Sequence, residues 1–371
     1  MIPIQRPSLG VEELEEVKKV FDSGWLGLGN VVYEFEDMVK RYLDAEDIVA
    51  VNSGTSALHI ALDSLGIGSG DEVIVPSLTF CASVQVITSL GAIPVFCEID
   101  PLTLNINVDD AKKRITSRTK AVMPVHYCGN PCDMDSLLSF GKENNIFIVE
   151  DAAHAFGSLY KGKKIGGFGN VTCFSFDPIK TLTCGEGGAV SVNHDLSEMV
   201  RRKRNLGIDK DAYRRYEGTQ NWFYEVATQG YRYHMSNINA AIGMAQLKKL
   251  PFFIKRKQSI VKAYNEQFSK IRGISLLNWN VDEVAPFSYI IRVLDNRRDL
   301  LIEFLKTRGV GSGVHYIPNH MQPFFAKYAS WLPVTEAVWR EIITLPLYAD
   351  MKENDVQKVI DSVNDFFVSE C

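Results

Sequence analysis

The sequence lacks any run of apolar residues approaching the roughly 18 that a bilayer-crossing segment needs. Its first residues, Met1-Ile2-Pro3-Ile4-Gln5-Arg6, have neither the basic nor the apolar region of a signal peptide. A cytoplasmic protein without a membrane partner is therefore expected. Neither sign of charge dominates: the formal net charge is -5, with acids and bases interspersed, so no nucleic-acid partner is expected. A disulfide framework is also missing, because the seven cysteines (Cys81, Cys97, Cys128, Cys132, Cys173, Cys184 and Cys371) are odd in number. His126, Cys128 and Cys132 lie close together, yet no Cys-x-x-Cys pair or second pair completes a four-ligand set, so no metal is expected. Repeats and low-complexity linkers are absent. So is a dinucleotide loop: Gly66-Ile67-Gly68-Ser69-Gly70 joins a helix to a following strand, the reverse of the required order.

What remains is an ordinary soluble composition, 46% hydrophobic and 23% charged, in 371 residues. That length suits a large domain with a smaller one. Between about residues 48 and 192, short apolar runs alternate with amphipathic stretches. The runs are Ile48–Val51, Glu72–Val75, Pro94–Cys97, Ala121–Val125 and Ile146–Val149; Ser56–Leu65, Ala82–Leu90 and Met134–Glu143 separate them. Nearly continuous apolar runs indicate strands covered on both faces. The alternation predicts an α/β fold with a mostly parallel sheet sandwiched by helices. An amphipathic helix over Val11–Phe21 precedes it and leads into the glycine-rich loop Gly24–Gly29. Past residue 250 the pattern changes to a basic helix (Phe253–Phe268), a strand at Tyr289–Val293, a helix at Asp299–Arg308, a strand near Val314 and a terminal helix at Asn354–Val368. The predicted division is a large domain over 1–250 and a small C-terminal α+β domain over 251–371.

Open parallel sheets bind ligands at the carboxyl ends of their strands. Three segments place polar or small residues there. In Val51-Asn52-Ser53-Gly54-Thr55-Ser56-Ala57 a strand runs through glycine and hydroxyl residues into a helix. Backbone N–H groups at such a helix start cradle a phosphate, although the same residues would cap any helix. In Ile148-Val149-Glu150-Asp151-Ala152-Ala153-His154 an apolar strand ends in an acid. Asp151 there is either a ligand at the mouth of the sheet or a helix N-cap. In the third segment, Cys173-Phe174-Ser175-Phe176-Asp177-Pro178-Ile179-Lys180, a strand leads to a lysine in a proline-broken loop, with Gly185-Glu186-Gly187-Gly188 behind it. Most lysines are solvated; this one lies between strand residues and glycines that allow close backbone approach.

The order and spacing of these segments resemble the DegT/DnrJ/StrS family of sugar aminotransferases, which depend on pyridoxal phosphate (PLP) and share the aspartate-aminotransferase fold. The resemblance runs from Ser23-Gly24-Trp25-Leu26 to Leu345-Pro346-Leu347-Tyr348. It implies that Lys180 holds PLP as a Schiff base and shuttles protons, while Asp151 keeps the pyridine nitrogen protonated. It also implies that Gly54, Thr55, Ser56 and Ser175 receive the phosphate, that Phe80 stacks on the ring, and that His154 lies beside it. Gly230–Asn237 matches a stretch that reaches the cofactor from a neighbouring subunit, which implies a homodimer with a shared active site. His234 stands there where asparagine or arginine is common, and Asp177 replaces a more usual histidine or aromatic.

The resemblance also implies a substrate. Pro124-Val125-His126-Tyr127-Cys128-Gly129 matches a stretch of members that aminate carbon 4 of the sugar. The expected reaction is amination of a nucleotide-linked 4-keto-6-deoxyhexose with L-glutamate as donor; a 3-keto-sugar is the alternative. Trp25, His315 and Tyr316 are the expected sugar contacts, against plain core packing. Family dehydratases carry histidine in place of the lysine, so Lys180 disfavours them. A regulatory protein would not need Lys180, Asp151 and the phosphate residues together.

Overall fold

The computed structural model describes residues 1–168, 171–209 and 222–368, so Cys371 lies outside the described residues. The apolar runs become strands β1 (Asp47–Val51), β2 (Glu72–Pro76), β3 (Ile93–Cys97), β4 (Thr119–Val122) and β5 (Phe147–Asp151). A short hairpin, β6 (Leu159–Tyr160) and β7 (Lys163–Lys164), is followed by β8 (Val171–Ser175) and β9 (Gly188–Val192). A seven-stranded sheet has the order β1-β9-β8-β5-β4-β2-β3. Its pairings are parallel except where β9 meets β8 and β1. Because β9 opposes both neighbours, β1, β5 and β8 end on one edge, and β9 begins there. Across that edge Gly188 pairs with both Val51 and Ser175.

The strands read as continuous apolar runs because both faces are covered. Ile48, Ala50, Ile74, Val122, Ile148 and Phe174 pack into one core cluster. Their alternates Val49, Val51, Val73, Val75, Val149 and Cys173 pack into another on the opposite face. Each valine, isoleucine or phenylalanine among them contributes about 1.5–3 kcal/mol when it leaves water.

A second, antiparallel sheet consists of β10 (Ile274–Leu276), β11 (Tyr289–Val293) and β12 (Ile342–Leu345), in that order. Helices Arg298–Thr307 and Glu353–Val368 contribute to its core. The strand expected near Val314 is not formed; only Gly313 makes a single bridge, to Thr344 of β12. The strand lies instead at Ile342–Leu345, which follows the helix Pro333–Glu341 directly, with no turn residue to mark the change. A 32-residue helix, Asn237–Phe268, crosses position 250 without interruption and holds Pro251 inside it. The chain's first residues run beside the second sheet: Ile2 N–H donates to Gly309 O (2.8 Å), and Leu347 N–H donates to Ile4 O (2.9 Å). Among the described residues no helix is long and apolar enough to cross a membrane.

Candidate active site

The shared edge of β1, β8 and β9 builds the first part of the site. Ser53 caps the helix Gly54–Ser64, its Oγ accepting from Ser56 N–H at 3.0 Å. Ser56 Oγ donates in turn to Asn52 Oδ1 at 2.6 Å, while Thr55 is exposed on the first turn. Gly54 abuts the end of β8, where a methyl group in place of its hydrogen would come within 2.7 Å of Ser175 Cβ. Gly188 is equally constrained: a methyl there would meet Ser53 O at 2.4 Å. Glycine at both positions brings a helix N-terminus against the Ser175 hydroxyl, an arrangement suited to an anion. His234 joins this edge by a single antiparallel bridge to Val51, and Asn52 N–H donates to Tyr233 O (2.7 Å).

From Ser175 the chain turns through Asp177, whose carbonyl accepts from Lys180 N–H (3.1 Å). Lys180 is half-buried, and its Nζ lies 4.3 Å from the centre of the Phe287 ring. Burial pulls its ammonium below the ordinary lysine value, against the pull of Asp177 and Asp151. Asp151 ends β5 and is not followed by a helix, so the N-cap alternative fails. Its Oδ2 accepts from Ser83 Oγ (2.7 Å) and its Oδ1 from Ala153 N–H (3.1 Å). Burial raises the Asp151 carboxyl; the Ser83 and Ala153 donors and the Lys180 charge oppose it.

Behind Asp151 lies a pair with no exposure, His126 and Glu150, with Nε2 2.9 Å from Oε2. Cys132 N–H donates to His126 Nδ1 (3.0 Å), so the imidazole proton is on Nε2 and donates to Glu150. His126 and Cys132 thus support the sheet edge.

The remaining walls come from farther along the chain. His154 stacks on Phe287 at 4.1 Å between centroids, and its Nε2 is 3.4 Å from the Tyr316 hydroxyl. Burial pushes His154 well below the usual histidine value, with Lys180 and His315 adding to the effect, so its imidazole is neutral. His315 Nδ1 is 2.8 Å from Thr344 Oγ1; burial and then Lys180 lower it as well. Phe80 is exposed and tilts against Tyr316, 5.5 Å between centroids. Tyr316 therefore touches both Phe80 and His154.

Trp25 lies elsewhere on the periphery. Its Nε1 donates to Leu28 O (2.8 Å), and Asn237 Nδ2 donates to its carbonyl (2.9 Å), which places it beside the 234–237 segment. Phe287 and Ser83 escaped sequence reasoning: Phe287 lies in a Pro286-Phe287-Ser288 loop with no motif, and Ser83 is one small residue inside a helix. Ser83 lies in the helix Cys81–Ser89 while its partner Thr79 precedes that helix, so no local spacing marked them as a pair.

These residues fit pyridoxal phosphate. The cradle of Gly54, Thr55, Ser56 and Ser175 suits its phosphate, the buried Asp151 suits its ring nitrogen, and the desolvated Lys180 suits its aldehyde. His154 Nδ1 and the Tyr127 hydroxyl are buried without a hydrogen-bond partner among the described residues, as expected of atoms that await a polar ligand.

Comparison with known proteins agrees. The chain is 38% identical over 375 residues to the spore coat polysaccharide biosynthesis protein SpsC of Bacillus subtilis, covering 98% of this chain and 96% of that protein. The crystal structure of the aminotransferase TlmJ from Streptoalloteichus hindustanus superposes with a TM-score of 0.93 at 33% identity, each chain covered fully (100%). The putative sugar aminotransferase Spr1654 of Streptococcus pneumoniae, in its PMP form, gives 0.94 at 30% identity, again with full coverage (100%) of both chains. Its PLP form gives 0.92. Residues 7–364 match the family pattern itself, and the chain belongs to the DegT/DnrJ/EryC1/StrS aminotransferase family, whose members are pyridoxal-phosphate-dependent.

Proposed function

We propose that the chain aminates a nucleotide-linked keto-sugar, at carbon 4 of a 4-keto-6-deoxyhexose, with L-glutamate as donor. The observation that carries this reading is the convergence of Lys180, Asp151 and the Gly54–Ser56/Ser175 cradle on one sheet edge, under a wall formed by Phe80, His154 and Tyr316. The sugar and polysaccharide names of the relatives support the substrate class, and the Pro124–Gly129 stretch supports carbon 4 through resemblance.

Bound PLP supplies an electron sink conjugated to the reacting carbon. Lys180 would hold it covalently through its Nζ, and the same amine would be the group that takes up and releases a proton beside the reacting carbon. The lowered basicity of Lys180 favours that role, because a proton carrier works best near the operating pH. Asp151 would keep a proton on the ring nitrogen. The cradle of Gly54, Thr55, Ser56 and Ser175 would hold the phosphate, and Phe80 and the neutral His154 would hold the ring. His315 and Tyr316 would orient the sugar; Trp25, which lies apart from them, has no such contact within this chain's site.

The active unit in this proposal is a cytoplasmic homodimer in which the segment around His234 reaches the partner's site. Exposed apolar side chains such as Leu9, Leu14, Phe21 and Trp222 support self-association. A monomer with full activity would overturn the dimer.

The deciding experiment is the visible spectrum of the purified chain with PLP, before and after L-glutamate, followed by addition of a nucleotide 4-keto-6-deoxyhexose. A band that forms, bleaches with glutamate and returns with the sugar is the expected result. No band would overturn the enzyme reading; an amine found at carbon 3 would overturn the position.

A further inference from the structure

The segment from Ser77 to Ser83 leaves β2, carries Phe80 and enters the helix Cys81–Ser89. It is held by two sets of buried hydrogen bonds that meet at Thr79. Ser83 Oγ spends its only proton on Asp151 Oδ2 (2.7 Å). The 2.9 Å contact between Thr79 Oγ1 and Ser83 Oγ must then have Thr79 as donor. On the far side Asn319 Nδ2 donates to Thr79 O (2.7 Å) and Ser77 O (3.2 Å), and Asn319 N–H donates to Ser77 O (2.8 Å). His320 N–H donates to Ser77 Oγ (3.0 Å). Ser77 and Ser83 are 0% exposed, Asn319 1% and Thr79 2%. Asn319 lies three residues beyond Tyr316, so these bonds connect the segment that carries the expected sugar contacts to the carboxylate that faces the cofactor.

We propose that Ser83 is the positioning residue of Asp151, with Thr79 and Asn319 as its supports. The inference rests on the reading of Asp151 as the cofactor's ring-nitrogen partner. A carboxylate in this buried place drifts toward the neutral acid, which could not hold a proton on the ring nitrogen. The Ser83 donor favours the charged form and fixes which way the oxygens point, while Thr79 prevents Ser83 from turning away. Hydrogen bonds to charged groups are the strong ones, so the loss of this one is measurable.

The test is the affinity of the cofactor-free protein for PLP, followed by protein fluorescence across pH, with thermal stability measured in parallel. Ser83→Ala is expected to weaken binding about tenfold. Without the Ser83 donor Asp151 protonates at higher pH, so the acid limb of binding moves upward. Thr79→Val shifts both in the same direction by less, and Thr79→Ser restores them. In an Asp151→Asn background Ser83→Ala costs nothing further, because the two act as one unit. Unchanged affinity and acid limb in Ser83→Ala, or a loss fully additive with Asp151→Asn, would overturn the inference. So would a drop in thermal stability alone, which is the mark of mere packing. If Ser83→Ala fails to fold, the Thr79→Val and Thr79→Ser pair decides by the same readouts. A wild-type chain that binds no PLP would overturn the proposed function and this inference together; equal binding by wild type and Ser83→Ala overturns only the inference.

Discussion

The two halves of the site are built in different ways. The half made by the large sheet holds its residues at strand ends: Asp151 closes β5, Ser175 closes β8, and the Gly54 helix begins just after β1. Its precision comes from backbone approach, at Gly54 against Ser175 and Gly188 against Ser53. The half made by the later residues has no such frame. His315, Tyr316 and Phe287 lie in loops around the small sheet; Tyr316 packs on His315 and His154, and Phe287 packs on His154. A frame of backbone contacts suits a part that must receive the same cofactor each cycle. Loops with adjustable side chains suit a part that selects among sugars. Substitutions in the first half should therefore remove cofactor chemistry, and those at the sugar-facing residues His315 and Tyr316 should change mainly substrate preference.

The sharpest division comes from Lys180→Ala, which should lower turnover at least about 10³-fold while leaving the fold, by circular dichroism, unchanged. Near wild-type turnover would remove Lys180 from the chemistry and with it the distinction between the halves. The next test concerns Lys257, on the long helix beneath the Lys180 loop. It is buried, its Nζ donates to Thr181 Oγ1 (3.0 Å), and burial pulls its ammonium down to about 7. Unfolded, the same amine keeps its proton up to about 10.5. Its cost to stability is therefore full below pH 7 and fades as pH rises toward 10.5. Lys257→Met should stabilise the chain at pH 6–7 by an amount on the order of 4 kcal/mol, shrinking toward pH 10. Thermal melts at both pH values check the slope; a pH-independent difference would mean that the lysine is solvated.

A smaller effect is expected from Gly54→Ala, which forces a methyl against Ser175. Cofactor affinity should fall by about 100-fold and stability by about 1–3 kcal/mol. Adding Ser175→Gly should recover stability but not phosphate binding. If Gly54→Ala binds PLP normally, the backbone frame is softer than the comparison requires. The mildest change is Tyr316→Phe, expected to raise KM for the keto-sugar about tenfold and leave bleaching by glutamate within about twofold. An equal loss in both half-reactions would place Tyr316 with the cofactor half instead.

The same contrast governs what sequence reasoning reached. The strands of the large sheet were legible because burial on both faces makes them continuous apolar runs. Their candidate ligand-binding ends followed from the rule that parallel strands present function at their carboxyl termini. The second sheet was only partly legible. β11 stood out, but β10 is three residues long, and β12 continues a helix without a break signal. Ile342-Ile343-Thr344-Leu345 carries strand-forming residues, yet a run of four cannot be separated from a buried helical turn by its pattern. The site shows the same split: Lys180, Asp151 and the Gly54–Ser56 turn form local motifs, whereas Phe287 and Asn319 belong to none.

The amino-acid sequence by itself determined the strand–helix alternation and the family, and it picked out the candidate anion cradle, lysine and acid. Each is written in neighbouring residues, where spacing and hydrophobic period carry the information. Tertiary structure alone decided that Ser83 donates to Asp151, that Phe287 touches both His154 and Lys180, and that Asn319 fastens the Phe80 turn. Those contacts join residues tens to hundreds of positions apart. Side chains meet over such separations only when the whole core has packed, and no local pattern records them.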